Sequence, residues 1–233
     1  MRIVFWFIIL GWGSSLYAQD SITVEPIDKW DNQLFFSNKA VWSKGNWRYS
    51  GEFQIRLYEN TKRLNSYLME GVATYMPNAK WEIVPDLRFT VQETRNELRP
   101  GIGAIYKQFF GSKFKNQLAH QMKYQADIEF GTELRSGFRY ILFHNIAFND
   151  QLIMTSAAGL FYRWSDAFNG VQFGRAMTGL GYSSDKQHLL SLSYFIGFEN
   201  GKNDISYIGG PIVQLIIRFS DEYKYVPAKY ISF

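Results

Sequence analysis

The chain contains no cysteine, which excludes a disulfide framework, a thiolate metal site and a lipid-modified cysteine. It also lacks long apolar runs. After residue 19 no stretch approaches the roughly 18 uncharged apolar residues a membrane helix needs, and the best late run, Ile212 to Ile217, is broken by Gln214. Its charge has no strong sign, +4 over 233 residues. Lys and Arg are scattered rather than gathered into the patch nucleic acid requires, so no nucleic-acid partner is expected. There is no Gly-rich phosphate loop, paired-histidine zinc motif or calcium loop, and no cofactor or metal is expected. Gly101-Ile102-Gly103 lacks a third glycine and opens a strand rather than a helix.

The first residues read as an export signal. Met1-Arg2 is a short positive start, Ile3 to Trp12 is apolar except for Gly11, and Ser14-Ser15-Leu16-Tyr17-Ala18 leads to Gln19. An apolar core of about ten residues is too short to span a bilayer and suits a cleavable signal. Residues 1–18 are therefore expected to be removed, leaving 19–233 as one domain. An exported chain without apolar helices can enter a membrane only as a closed sheet, because any open edge would be unpaired in lipid.

What the chain has in quantity is aromatic residues, 18%, against 20% charged. Its mean hydropathy is nevertheless slightly polar, −0.22. Alternating strands produce this combination, since each lipid-facing residue sits beside a lumen-facing one. From Trp47 to Leu57, the set Trp47, Tyr49, Gly51, Phe53, Ile55 and Leu57 alternates with Arg48, Ser50, Glu52, Gln54 and Arg56. A helix would mix the two sets, whereas a strand separates them. Trp81 to Gln92, Leu118 to Ile128 and Leu190 to Phe198 repeat the pattern, while 99–109, 152–162 and 171–182 are blurred by Gly, Ala and Ser.

Breaks between strands come in two kinds. Short ones fall at Lys44-Gly45-Asn46, Pro77-Asn78-Ala79, Phe110-Gly111-Ser112, Asn149-Asp150 and Ser183-Ser184-Asp185. Longer polar ones run from Glu59 to Asn65, Thr94 to Leu98, Asp127 to Glu133, Arg163 to Gly170 and Glu199 to Ser206. Each kind recurs at about 33 to 37 residues, the length of a hairpin of two membrane-crossing strands. Short turns are expected on the periplasmic side and longer loops outside. Trp42, Trp47, Tyr75, Trp81, Tyr106, Phe114, Tyr182 and Phe219 flank the short turns, as an interfacial girdle would.

The expected fold is an all-β, antiparallel up-and-down transmembrane β-barrel. Ten strands run from Trp47 to Phe219 and an eleventh covers Gln33 to Trp42. Even numbers are the rule for bacterial single-chain barrels, so twelve are expected, with Ser21 to Ile27 as a short first strand, and ten are the alternative. Leu215, Ile217 and Phe219 alternate in the closing stretch, as in a final strand read by the assembly machinery; Tyr230-Ile231-Ser232-Phe233 is a second candidate for that signal.

Several segments resemble a bacterial family of exported outer-membrane barrels, domain-of-unknown-function family 2490. They are Trp47 through Arg56, Gly71 to Tyr75, Asn96-Glu97-Leu98-Arg99-Pro100 and Arg135-Ser136-Gly137-Phe138-Arg139-Tyr140. The resemblance implies a barrel in the cell outer membrane, with outer-membrane lipid and the assembly machinery as partners. It implies no activity.

Three groups of residues are candidates for chemistry. Arg48, Glu52, Arg56, Glu70, Glu82, Asp86, Arg88, Lys123, Arg135, Arg139 and Arg218 share the inward parity and are the lumen-lining candidates. Counting across hairpins sets Glu70 near Asp86 and Arg139 near Lys123. They would either fill a narrow barrel with ion pairs or line a small pore. His120 and His144 lie on adjacent strands, yet no nucleophile and acid accompany them, so no catalytic residue is assigned and no enzyme is expected. The segment Arg163 to Gly170 mixes aromatic and polar residues as recognition loops do. The expected function is a non-enzymatic outer-membrane barrel, structural or a weak pore for a small solute, with a phospholipase-like hydrolase as the alternative.

Overall fold

A computed structural model describes residues 30–111, 116–129, 134–165, 168–183, 185, 188–201 and 204–228. The expected signal 1–18, the strand expected over 21–27, Phe114 and the 230–233 terminus lie outside them. The strand segments are β1 (Trp30–Asn32), β2 (Leu34–Gly45), β3 (Trp47–Tyr58), β4 (Arg63–Tyr75), β5 (Trp81–Gln92) and β6 (Asn96–Phe110). They continue with β7 (Asn116–Glu129), β8 (Leu134–Ala147), β9 (Leu152–Trp164), β10 (Asn169–Tyr182), β11 (His188–Asn200) and β12 (Ile205–Tyr223). From β2 onward each pairs antiparallel with the next, and β12 returns to β2 to close the sheet.

The closing seam is parallel. β1 and β2 both run parallel to β12 in one continuous register, Trp30 opposite Tyr207 and Phe35 opposite Ile212. They are two halves of one stave interrupted at Gln33, and the described barrel has eleven staves, neither twelve nor ten. The even count presupposes that first and last strands meet antiparallel. An odd number of up-and-down staves leaves both pointing the same way, and here they pair in that arrangement. The interruption has a local cause. The Gln33 carbonyl oxygen lies 1.7 Å from where a Cβ on Gly210 would stand, and the Gln33 N–H donates to the Gly209 carbonyl at 2.8 Å. Only glycine lets two backbones approach so closely.

Alternation of burial follows the period-two pattern in the strands where it was clearest. Phe53, Leu87, Ile102 and Leu192 point outward, with Leu192 60% exposed. Trp42, Trp47 and Tyr75, with Tyr49 bridging Trp42 to Trp47, form one run of ring contacts on the outside and Trp81 with Tyr106 a second, with centroids 4.8–6.0 Å apart. A twelve-residue strand such as β3, tilted about 40°, rises roughly 28 Å, close to the apolar band of an outer-membrane barrel.

The blurred segments are β6, β9 and β10. Their inward positions carry apolar residues such as Ile105, Ala157, Phe161 and Met177, so both faces are apolar and the polar alternation fades. With Phe35, Ile141, Phe143, Phe195 and Ile212, most of these form an apolar layer inside the barrel.

The longer external loops are not found. Asp127 and Glu129 are still in β7, Arg163 and Trp164 in β9, Glu199 and Asn200 in β11, and Asn96 already opens β6. Segments between strands are similarly short at both ends, so loop length does not assign the sides. The polar residues that suggested loops are strand ends whose charges turn inward.

Candidate functional site

The interior is built in layers. All eleven lumen candidates project into it, but they do not form one site.

At one end the segment after β12 turns into the barrel, burying Pro227 and Ala228. Lys107 on β6 and Glu82 on β5, both 0% exposed, pair at 2.8 Å. Each also grips the entering backbone. Glu82 accepts the Ala228 N–H at 2.6 Å, and Lys107 donates to the Val226 carbonyl at 2.6 Å. Arg48 donates to the Ala228 carbonyl at 3.1 Å and Gln117 to that of Pro227 at 3.3 Å. Four strands thus hold one extended strip of main chain, which closes this "tail end". Beside it lies a cavity of about 200 Å³ that Arg48 and Arg218 help to line.

In the middle, Glu52 accepts from Ser37 at 2.6 Å and pairs with Lys39 at 3.4 Å, while Gln214 bridges from β12. Elsewhere on the wall, Glu70 accepts two guanidinium bonds from Arg88 at 3.2 and 3.0 Å, and Lys123 reaches Asp86 at 2.6 Å and Glu70 at 4.0 Å. Glu70 and Asp86 are therefore interleaved with Arg88 and Lys123, whereas Arg139 stands directly opposite Lys123 across the β7–β8 pair. Gly101 makes room for this. A Cβ there would stand 2.5 Å from Lys123 Cε and 2.9 Å from Asp86 Oδ1. The Gly101-Ile102-Gly103 pattern thus serves packing of an ion pair, not a phosphate loop.

At the other end Asp127 receives both Arg99 and Arg163. Glu97 pairs with Arg99 at 2.6 Å and Arg135 at 3.1 Å, Arg135 also meets Glu129 at 2.9 Å, and Arg175 meets Glu199 at 2.6 Å. Of these, Glu97, Arg99, Arg163, Arg175 and Glu199 line an open cavity of about 620 Å³, together with Arg56, Arg88 and Arg139. Charge-assisted bonds of this kind hold staves together and fill the bore.

Lys39, Glu97, Arg99, Lys107, Asp127, Arg163, Arg175 and Glu199 were not among the sequence candidates. Inward parity carried through the strand ends and the blurred segments would have found them. Arg163 instead reads as loop because Ser165 and Phe168, which exchange backbone bonds in a tight turn, follow it at once. The recognition-loop expectation therefore reduces to a turn in which Trp164 faces outward against Tyr124 and Tyr162; Asp166 and Ala167 lie outside the described residues.

His120 and His144 face outward. His120 Nδ1 lies 2.8 Å from the Tyr140 hydroxyl, between the rings of Tyr106 and Tyr140. His144 stands opposite Ser156 across the β8–β9 pair, but the Ser156 hydroxyl bonds Thr178 at 3.0 Å, and no hydrogen bond joins His144 to Ser156 among the described residues. A nucleophile and its base need that bond. Among the described residues no group of three or more His, Asp or Glu side chains could hold a metal ion.

Together these features define the class: a closed, mixed-seam β-barrel, apolar outside and ion-paired within. No family model matches the chain, and no curated protein matches it. Among solved structures it is similar to a NanC porin, with a TM-score of 0.48, 7% identity, and 70% of this chain and 86% of that one covered. It is also similar to a KdgM porin, one of whose structures holds disordered oligogalacturonate, with a TM-score of 0.42, 16% identity, and 75% and 86% covered. At this distance neither solute nor strand number carries over to this chain.

Proposed function

We propose that the protein is an integral, non-enzymatic barrel of the cell outer membrane, of the kind grouped in domain-of-unknown-function family 2490. The observation that supports it is the inversion of polarity around the closed sheet. Leu87, Ile102, Leu190, Leu192 and Phe219 are each at least half exposed, while Lys107, Glu82 and Lys123 are at most 3% exposed. In water so continuous an apolar surface would drive association, and the ions would be better solvated outside. In lipid the apolar face is surrounded by hydrocarbon and charges are better held inside, and the closed sheet leaves no unpaired edge. Outer-membrane lipid is accordingly the partner of the belt. Leu215, Ile217 and Phe219 face outward on the last strand and are one of two candidate segments for the assembly machinery, Tyr230-Ile231-Ser232-Phe233 being the other.

Within that shell the protein serves as a structural barrel or a weak pore for a small solute. The cavities at the two ends share no lining residue, and the apolar layer lies inside the same barrel. Purified protein should stay folded only in detergent or bilayers and should show, in planar bilayers, rare conductance steps well below those of an open porin. A monodisperse, folded protein in detergent-free buffer would remove the membrane reading. Large, steady conductance would remove the filled-bore reading.

A further inference from the structure

The open cavity opposite the tail holds more positive charge than its own carboxylates engage. Arg99, Arg163 and Arg175 meet carboxylates along its wall, and Arg88 is held by Glu70. Two guanidinium groups are left over. Arg56 donates from Nε to the neutral Gln54 carbonyl at 2.6 Å, and its terminal nitrogens reach no carboxylate among the described residues. Arg139 has no hydrogen bond or ion pair among the described residues, and its Nε is buried without a partner. The carboxylates whose field reaches Arg139, Glu70 and Asp86, are already bonded to Arg88 and Lys123.

These two lie among like charges. Arg56 feels Arg88, Arg175 and Arg99, offset in part by Glu199, and Arg139 feels Arg88 and Arg99 beside Glu70 and Asp86. Such a cluster, partly withdrawn from water, is repulsive until an anion enters it. Arg56 and Arg175 are also held in place by rings. Arg56 lies over Phe35 at 4.7 Å, Phe35 stacks on Phe195 at 4.9 Å, and Arg175 lies over Phe195 at 5.8 Å and Phe173 at 4.9 Å. A guanidinium carbon held over a ring can still present its N–H groups to an acceptor, and that fork matches the paired oxygens of a carboxylate or phosphate. The binding geometry is therefore preorganised by an aromatic floor.

We infer that this cavity binds a small multivalent oxyanion, a phosphate- or carboxylate-bearing solute, with Arg56 and Arg139 as its primary contacts and the ring-stacked Arg175 beside them. Its volume of about 620 Å³ is in the range of sites that enclose solutes larger than a single ion. The inference rests on the barrel described above but not on its conductance.

The test is titration calorimetry and thermal unfolding of the full chain in detergent micelles at constant ionic strength. The probes are pyrophosphate, citrate and neutral maltose. Pyrophosphate, citrate or both should bind and raise Tm, and which one binds separates the phosphate from the carboxylate source; maltose should do neither. The Arg56→Gln/Arg139→Gln pair should weaken binding at least tenfold. Arg139→Gln alone should raise Tm without ligand, by relieving repulsion. Arg56→Lys/Arg139→Lys keeps the charge and should still lose most of the affinity with the fork, while Arg63→Gln, outside the cavity, should bind normally. Equal Tm in pyrophosphate, citrate and sodium chloride would overturn the site, as would wild-type binding by the Gln pair. Loss of the folded barrel on detergent removal, with no anion binding in detergent, would sink the site and leave the membrane reading standing.

Discussion

Replacing Glu82 by alanine tests how the tail end is closed. Glu82 and Lys107 are both fully buried, and Glu82 Oε1 accepts from Lys107 and from the Ala228 N–H. Alanine leaves the ammonium with only the Val226 carbonyl as a hydrogen-bond acceptor, a loss of about 3–5 kcal/mol for breaking a buried pair. It also orphans the Ala228 N–H, for about 1–3 kcal/mol more. The two do not add fully, and the expected loss is about 4–6 kcal/mol. Changing both residues to methionine removes the uncompensated charge and should recover all but about 1–3 kcal/mol, the orphaned amide. Equilibrium urea unfolding, followed by tryptophan fluorescence of the wild type, E82A, E82M, K107M and the E82M/K107M double variant, reads these values. Additive losses, with the double variant as unstable as the sum of the singles, would show that the ion pair does not anchor the tail.

Gly101→Ala should cost about 1–3 kcal/mol by crowding the Lys123–Asp86 pair, whereas Gly51→Ala, whose Cβ meets nothing within 4 Å, should change the same urea midpoint little. Leu192→Arg, on the outward face of β11, should destabilise by about 2–4 kcal/mol in bilayers, against about 0–1 for Leu134→Arg at a strand end; equal costs at both positions would contradict a lipid-facing belt. Vesicle assays should show no fatty-acid release by the wild type. Release abolished by His144→Ala and by Ser156→Ala would instead establish the hydrolase alternative.

The strands clearest in the sequence, β3, β5, β7 and β11, were clearest because one face is apolar and exposed while the other is mostly polar or ionic. Where the bore turns apolar, at Ala157, Phe161 and Met177, the contrast that periodicity reads disappears. The candidate list followed the same logic. Residues such as Glu52 and Lys123 stood out beside aromatic neighbours. Lys107 in a blurred strand and Asp127, Arg163 and Glu199 at strand ends did not, because polar strand ends look like loops until their register is known.

Local alternation was enough to sort apolar and charged side chains onto opposite faces of each strand, since the direction of each side chain along a strand depends only on its neighbours in the chain. Tertiary structure alone decided three things: a parallel seam of eleven staves, the entry of residues 226–228 into the bore, and which guanidinium groups find carboxylates. Each depends on contacts between residues far apart in the chain, where a shift of one register position would exchange every partner, and no local pattern encodes that shift.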